Sequence, residues 1–262
     1  MRLLLYQVDA FTDHLFGGNP AAVVPLESWL PEATMQAIAT ENNLSETAFF
    51  VREGDATFGL RWFTPVAEID LAGHPTLATA YVIFRFVAPD ATELKFRTMK
   101  AGSLVVTRRG EELAMDFPAR PPEPCTVPPS LASALGKPPI KVLASRDYMA
   151  VYESAADVAS LKPDFGAIAR LDRMAVIATA PGEGDVDFVS RFFAPAHNIN
   201  EDPVTGSAHC TLIPYWAERL GKARLKARQI SARIGELSCE HRGERVTIAG
   251  RCVLYMEGAI TL

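Results

Sequence analysis

The chain predicts an α+β protein of two similar domains, each a barrel-like, mostly antiparallel sheet around one central helix. Three observations predict this class: an internal repeat, two helical segments without a polar face, and a proline-rich stretch between the halves. The repeat pairs R-W-F-T-P-V-A-E-I-D-L-A-G-H, Arg61 to His74, with R-F-F-A-P-A-H-N-I-N-E-D-P-V-T-G-S, Arg191 to Ser207. Arg61 and Arg191, Phe63 and Phe193, Pro65 and Pro195, and Ile69 and Ile199 each stand 130 positions apart. A three-residue insertion then brings Gly73 opposite Gly206 and His74 opposite Ser207. An offset of almost half of 262 residues is what duplication of one domain leaves behind.

Each repeat opens an unusual helix. After Gly73 and His74, Pro75 suits the first helical position, where its missing N–H does no harm. Thr76 to Phe84 carries no charge and is apolar all round. After Gly206 and Ser207, Ala208 to Trp216 is uncharged apart from His209, contains a kink-prone Pro214, and leads to a stop at Gly221. A helix without a polar face must be surrounded by protein, so each is expected at the centre of its own sheet. Ala119 to Pro139 is rich in proline and reads as a stiff, poorly helical connector. The expected domains are residues 1–120 and 130–251, with residues 252–262 able to return to the first.

The remaining elements follow from local pattern. Leu3–Ala10, Glu46–Arg52, Thr57–Phe63, Leu94–Thr98, Ser103–Arg108 and Leu113–Phe117 are short and rich in β-branched or aromatic residues, as strands are. Pro31–Asn43 places Met35, Ile38, Ala39 and Asn42 on one face of an amphipathic helix. In the second half Lys141–Ala144, Tyr148–Tyr152, Met174–Thr179 and Asp187–Phe193 read as strands, and Arg228–Ile234, Glu236–Glu240, Arg245–Ala249 and Cys252–Glu257 as closing hairpins.

Composition excludes several classes of function. Hydrophobic residues make up 48% and charged residues 22%, an ordinary globular mix that can bury a core. The net charge of -5 and the lack of a Lys/Arg run leave no footprint for nucleic acid; Lys222 to Arg233 reads as a solvated face. No segment approaches the roughly 18 apolar residues of a membrane span, and the N-terminus turns polar too soon for a signal peptide. Cys125, Cys210, Cys239 and Cys252 show no metal-like spacing, so free thiols in a reducing cytoplasm are expected.

The chemistry is expected where the two helices begin. Free N–H groups and the positive end of the dipole at Gly73-His74 and Gly206-Ser207 suit a carboxylate or a developing enolate. If the halves face each other, both starts point into one cleft. Glu46, Asp70, His74, Asp202 and Ser207 lie around these points in the repeat, and Asn19 lies in F-G-G-N-P. Taken singly each has a plainer reading: Glu46 as the polar start of a strand, the aspartates and Ser207 as caps, His74 as a core histidine, Asn19 as a turn residue. His197 and His209 have weaker claims. No Walker loop or G-x-G-x-x-G motif appears, so no nucleotide cofactor is expected.

Four ordered motifs carry a resemblance. F-x-G-N-P-A-A-V at Phe16–Val23, N-N-L-S-E-T-A-F at Asn42–Phe49, D-L-A-G-H-P-T-L-A at Asp70–Ala78 and E-D-P-V-T-G-S-A-H at Glu201–His209 resemble, end to end, the PhzF family of phenazine-biosynthesis-like isomerases. The resemblance implies a diaminopimelate epimerase-like fold with the active site between two similar domains, and a homodimer. It implies that Glu46 moves a proton between carbons, and that Asn19, His74, Asp202 and Ser207 bind the substrate with the backbone at Gly73 and Gly206. Many members carry Cys where this chain has Ala72, so no thiol acts there; the related epimerases use two cysteines as opposed bases, whereas the helix starts here hold His74 and Ser207, so a two-thiol racemisation is not available.

The expected function is therefore a cofactor-independent isomerase, needing no metal, that acts on a small carboxylate-bearing metabolite. Two alternatives stand beside it: an epimerase using Glu46 and Asp202 on opposite faces, and a small-molecule-binding protein without turnover. Raised by burial, the Glu46 pKa is expected to move toward neutrality.

Overall fold

The computed structural model describes residues 1–262. The chain forms two compact units, Met1–Asp116 with Ala249–Leu262, and Phe117–Ile248.

The first unit begins with strands β1 (Arg2–Ala10) and β2 (Asn19–Leu26), helix α1 (Glu32–Asn42), and strands β3 (Glu46–Arg52) and β4 (Thr57–Phe63). It continues with the short strand β5 (Glu68–Ile69), the central helix α2 (Gly73–Val82), which runs on into a π-helical turn Ile83–Val87, and strands β6 (Glu93–Thr98), β7 (Ser103–Arg109) and β8 (Glu112–Pro118). β1 pairs with β2 antiparallel, β2 with β3 parallel across α1, β3 with β4 antiparallel, β4 with β6 parallel across α2, and β6 with β7 antiparallel. Helix α1 buries Met35, Ile38 and Ala39 against Leu5, Val24, Phe49 and Phe63. Asn42, expected on that face, is half-buried and donates to Thr47 Oγ1 at 3.1 Å. Helix α2 packs on β1, β2 and β3. With a helix on each face, β2 and β3 are buried almost throughout, unlike the alternating pattern of a half-exposed strand.

The second unit repeats this order. It holds β9 (Glu123–Pro124), α3 (Leu131–Leu135), β10 (Lys141–Ala144), β11 (Tyr148–Val151), α4 (Ala155–Ala159), α5 (Phe165–Ile168), β12 (Val176–Pro181) and β13 (Phe188–Phe193). The central helix α6 (Gly206–Leu220) and strands β14 (Arg224–Gln229), β15 (Gly235–Arg242) and β16 (Arg245–Gly250) follow; β17 (Cys252–Thr261) pairs with β1 in the first unit. The ladder is again antiparallel (β10–β11), parallel (β11–β12), antiparallel (β12–β13), parallel across the central helix (β13–β14), antiparallel (β14–β15). Five successive pairings of the same sense, with the helices at the same crossovers, make this an α+β fold of duplicated topology.

Register locates the insertion that separates the repeats. Arg61 grips Glu68 with two bonds of 2.7 Å, seven residues on, whereas Arg191 grips Glu201 at 2.7 and 2.8 Å, ten residues on. Ile69 pairs with Trp62, while the Asp202 N–H bonds the Phe192 carbonyl. The three extra residues therefore lie before Glu201, in the 3₁₀ turn Pro195–His197 and its left-handed Asn198. Ile69 corresponds to Asp202, and the expected match of Ile69 with Ile199 is corrected: Ile199 bridges back to Ala194 instead.

Other expectations need similar adjustment. β2 was not anticipated, because Pro20 and Pro25 mask its apolar run. Of the last strands, β14 begins earlier than expected: it spans Arg224–Gln229 rather than Arg228–Ile234, with Leu225, Ala227 and Gln229 inward and Arg224, Lys226 and Arg228 outward toward Glu240, Asp185 and Glu236. Alternation within the basic stretch, not its charge, was the informative signal. The proline-rich stretch contributes β9 and α3, whose Leu131, Ala134 and Leu135 enter the core of the second unit. Pro75 stands third in α2, still within the turn that has no N–H partners. α6 ends at Gly221 in the left-handed conformation, as read from sequence. No helix is long and apolar enough to cross a membrane, and the four cysteines are unpaired.

Candidate active site

In the first unit, period-two alternation puts Glu46 on the same face of β3 as Ala48, the face against which α2 lies. Glu46 is the first residue of β3 and is level with Ala21 of β2. His74 is the second residue of α2. The two meet with Nε2 of His74 3.0 Å from Oε2 of Glu46, both side chains over 90% buried. The approach lacks the alignment of a hydrogen bond, so Oε2 is a buried acceptor without an aligned donor. Such an atom is costly in a core and useful in a proton-transfer site.

Three neighbours orient the histidine. Asn19, fully buried at the start of β2, lies with its amide Nδ2 3.1 Å from Nδ1 of His74. Nε2 is the ring nitrogen that faces Glu46. Ser45 Oγ donates to Asn19 Oδ1 at 3.3 Å and lies 3.3 Å from His74 Nε2. The turn that delivers Asn19 depends on Gly18, which adopts φ +61; a Cβ there would lie 2.1 Å from the Ala10 carbonyl oxygen. Gly18→Ala should therefore displace Asn19 and cost more than about 2 kcal/mol, from left-handed strain plus a backbone clash. Urea unfolding of the variant checks this.

Burial is the largest single influence on Glu46 and pushes its pKa up, but the attraction of His74 and the close N–H and O–H groups of His74 and Ser45 outweigh it. The carboxyl is held below its usual value of 4.5. The expected rise toward neutrality is thus corrected: a histidine partner, not desolvation, decides the sign. Glu46 is a carboxylate at neutral pH and ready to act as a base. For the free protein, kcat/KM on any converting substrate should show no limb from Glu46 above pH 4.5; a titration from pH 4 to 8 checks it.

In the second unit, α6 begins at Gly206 with no side-chain cap, just as α2 begins at Gly73 with none. The loop before α6 is held by a buried network. Thr205 Oγ1 donates to Asp202 Oδ2 at 2.5 Å; Gln229 Nε2 donates to the Asp202 carbonyl at 2.7 Å and to Thr205 Oγ1 at 3.1 Å; and the Thr205 N–H donates to Gln229 Oε1 at 2.9 Å. His209 donates from Nδ1 to the Thr205 carbonyl at 2.8 Å; burial drives its pKa down to about 4, so it is neutral and braces the helix start. Ser207 Oγ accepts from Arg146 Nη2 at 3.0 Å. Cys210, one turn further along α6, is pushed up to about 11 by burial and is no thiolate.

Of the sequence-selected residues, Asn19, Gly73, His74 and Glu46 are thus brought together in the first unit, and Asp202, Gly206 and Ser207 in the second. Asp70 is not among them: it is exposed and paired with Lys100 at 2.8 Å. His197 is exposed in its 3₁₀ turn. Sequence reading missed Gln229, Thr205 and Arg146. Arg146-Asp147, two charges set directly before a buried strand, was the available signal. No group of three or more His, Cys, Asp or Glu lies close enough to hold a metal ion.

A sequence profile of the family described as phenazine biosynthesis-like protein, PhzC-PhzF, matches residues 8–258. An uncharacterized isomerase of Pseudomonas aeruginosa is 52% identical over 263 residues, covering all of both chains. The crystal structure of a PhzF-family phenazine biosynthesis protein from Enterococcus faecalis, 49% identical, covers all of both chains with a TM-score of 0.97. A hydroxyproline epimerase from Agrobacterium vitis shares the fold alone, at 10% identity and a TM-score of 0.62 over 99% of this chain and 92% of that one. The chain belongs to the phenazine biosynthesis-like, PhzF, family of isomerases.

Proposed function

We propose that the protein is a cofactor-independent isomerase that moves a proton between two carbons of a small carboxylate-bearing metabolite, with Glu46 as the only proton carrier. Glu46 removes a proton from carbon as carboxylate and returns it to another carbon as carboxylic acid. His74 donates toward the carboxylate from Nε2. In each unit the N–H groups at the start of the central helix, at Gly73 and at Gly206 with Ser207, suit an anionic group of a substrate, and Asp202 is suited to orienting one.

The observation that carries this reading is the inequality of the two halves. Aligned on Arg61 and Arg191, the ladders match Thr47, opposite Phe63, with Val176, opposite Phe193. Glu46 therefore corresponds to Ala175, which has no acid/base group. A duplicated scaffold that carries a carboxylate at only one of these two equivalent strand positions suits removal and return of a proton by one group. Two-base epimerisation needs a second, and its candidate, Asp202, already accepts a 2.5 Å bond from Thr205.

The test is to incubate the protein in D₂O with small cyclic and amino carboxylates chosen from a thermal-stabilisation screen. Deuterium should enter the product at the carbon that receives the proton. Inversion at one carbon without a shift of the double bond would instead establish an epimerase, and binding without exchange would establish a protein without turnover.

A further inference from the structure

We propose that Arg146 is a positioning and specificity residue that makes the start of α6 selective for an anionic group of the substrate. This rests on the reading that Ser207 contacts that anion. Nη2 of Arg146 donates to Ser207 Oγ at 3.0 Å, which uses an acceptor lone pair of the hydroxyl. The Ser207 O–H must then turn away from Arg146 and is free to donate to a ligand. Arg146 itself is fixed by Asp147, which is 2% exposed and accepts from Nε at 3.1 and 3.2 Å and from Nη2 at 2.8 Å. Nε and Nη2 are occupied, whereas Nη1 makes no hydrogen bond inside the protein and the side chain is one-third exposed. A cation held rigid by a buried carboxylate, with one donor edge unspent beside a serine hydroxyl, is suited to a carboxylate or similar oxyanion.

The duplicated ladder gives an independent reason. Ala22, level with Thr47, corresponds to Tyr148, level with Val176. Asn19 then corresponds to Ser145, and Arg146 stands one position along at the same opening of the second strand. In the first unit the residue there, Asn19, orients the second residue of the central helix, His74. In the second unit Arg146 does the same to Ser207, the second residue of α6. The two residues, one position apart in the aligned strands, share one structural task, and the guanidinium gives the second its charge preference.

The experiment titrates the full chain with malonate, and with neutral malonamide, and follows amide chemical shifts of Gly206 and Ser207. Arg146→Ala would strand the buried Asp147 charge, so the variants are Arg146→Lys, which keeps a cation there, and the charge-free pair Arg146→Met with Asp147→Asn. Malonate should shift both amides in the wild type and malonamide should not. Arg146→Lys should weaken malonate about tenfold through loss of the planar fork, and the charge-free pair should weaken it further. Arg146→Lys combined with Ser207→Ala should weaken it by much less than the product of the single effects, because the two residues act through one hydroxyl. With a converting substrate, Arg146→Lys should raise KM and leave kcat nearly unchanged. Malonate affinity within twofold of wild type in Arg146→Lys, equal response to malonamide, independent effects of the two substitutions, or no malonate response in the wild type would each overturn the proposal. Arg146-dependent malonate binding in a protein that never exchanges deuterium would refute the isomerase reading and leave this one standing.

Discussion

Glu46→Gln should abolish deuterium uptake and turnover while leaving the fold and ligand binding nearly intact. Gln fills the same space beside His74, whose Nε2 lies 3.0 Å from Oε2 in the native protein. What is lost is the ability to take up and release a proton. General acid–base groups contribute roughly 10²–10⁴-fold, and a group that serves both removal and return should lie at the upper end or beyond. Because Ala175 stands at the related position of the second unit, no partner of the same kind is available to take over. Turnover in D₂O, followed for both proteins beside thermal melts and malonate titrations, is the measurement. Activity within a few-fold of wild type would remove Glu46 from the mechanism and make Asp202 the next residue to substitute.

How far the sequence was legible depends on what kind of constraint fixed each feature. The two central helices were readable because burial on every side demands a segment with no charge, and Gly73–Val82 and Gly206–Leu220 obey that along their buried lengths. β3 and β4 were readable to the residue, since turn residues bound short runs of aromatic and β-branched side chains. β2 was hidden by its prolines, and β14 by charges that occupy only its outer face. In the site, Glu46 and His74 are 28 positions apart in the chain, but both sit at the openings of repeated elements, where pattern pointed. Arg146, Thr205 and Gln229 act through contacts that only the folded chain creates. Gln229 closes on Thr205 from 24 residues away, and Arg146 on Ser207 from 61. The direction in which the Glu46 pKa moves was also out of reach of the sequence, because desolvation and a histidine contact oppose each other and only the 3.0 Å approach decides between them.

That opposition yields the second large effect. His74→Leu keeps the site dry and of similar volume but removes the partner that holds the Glu46 carboxyl down. Burial, the largest influence on Glu46, then acts unopposed except by Ser45, and the pKa should cross from below 4.5 to well above it; a fully buried carboxyl can titrate up to about 3–5 pH units above its usual value. The consequence for stability reverses sign. In the wild type the folded-state pKa is depressed, so Glu46 stabilises the fold above its unfolded value and the contribution is lost as pH falls through the folded pKa. In His74→Leu the folded-state pKa is raised, so stability is greatest below the unfolded value and declines as pH rises toward the folded pKa, by about 1.4 kcal/mol for each pH unit that separates the two pKa values. Urea midpoints collected from pH 4 to 8 should therefore fall with rising pH in the variant relative to the wild type. The acid limb of kcat/KM should move with it, from below pH 4.5 into the range of pH 5 to 8, since a neutral Glu46 cannot remove a proton. If the variant and the wild type show parallel stability profiles across that range, His74 does not set the ionisation of Glu46, and the buried pair is not what primes the base.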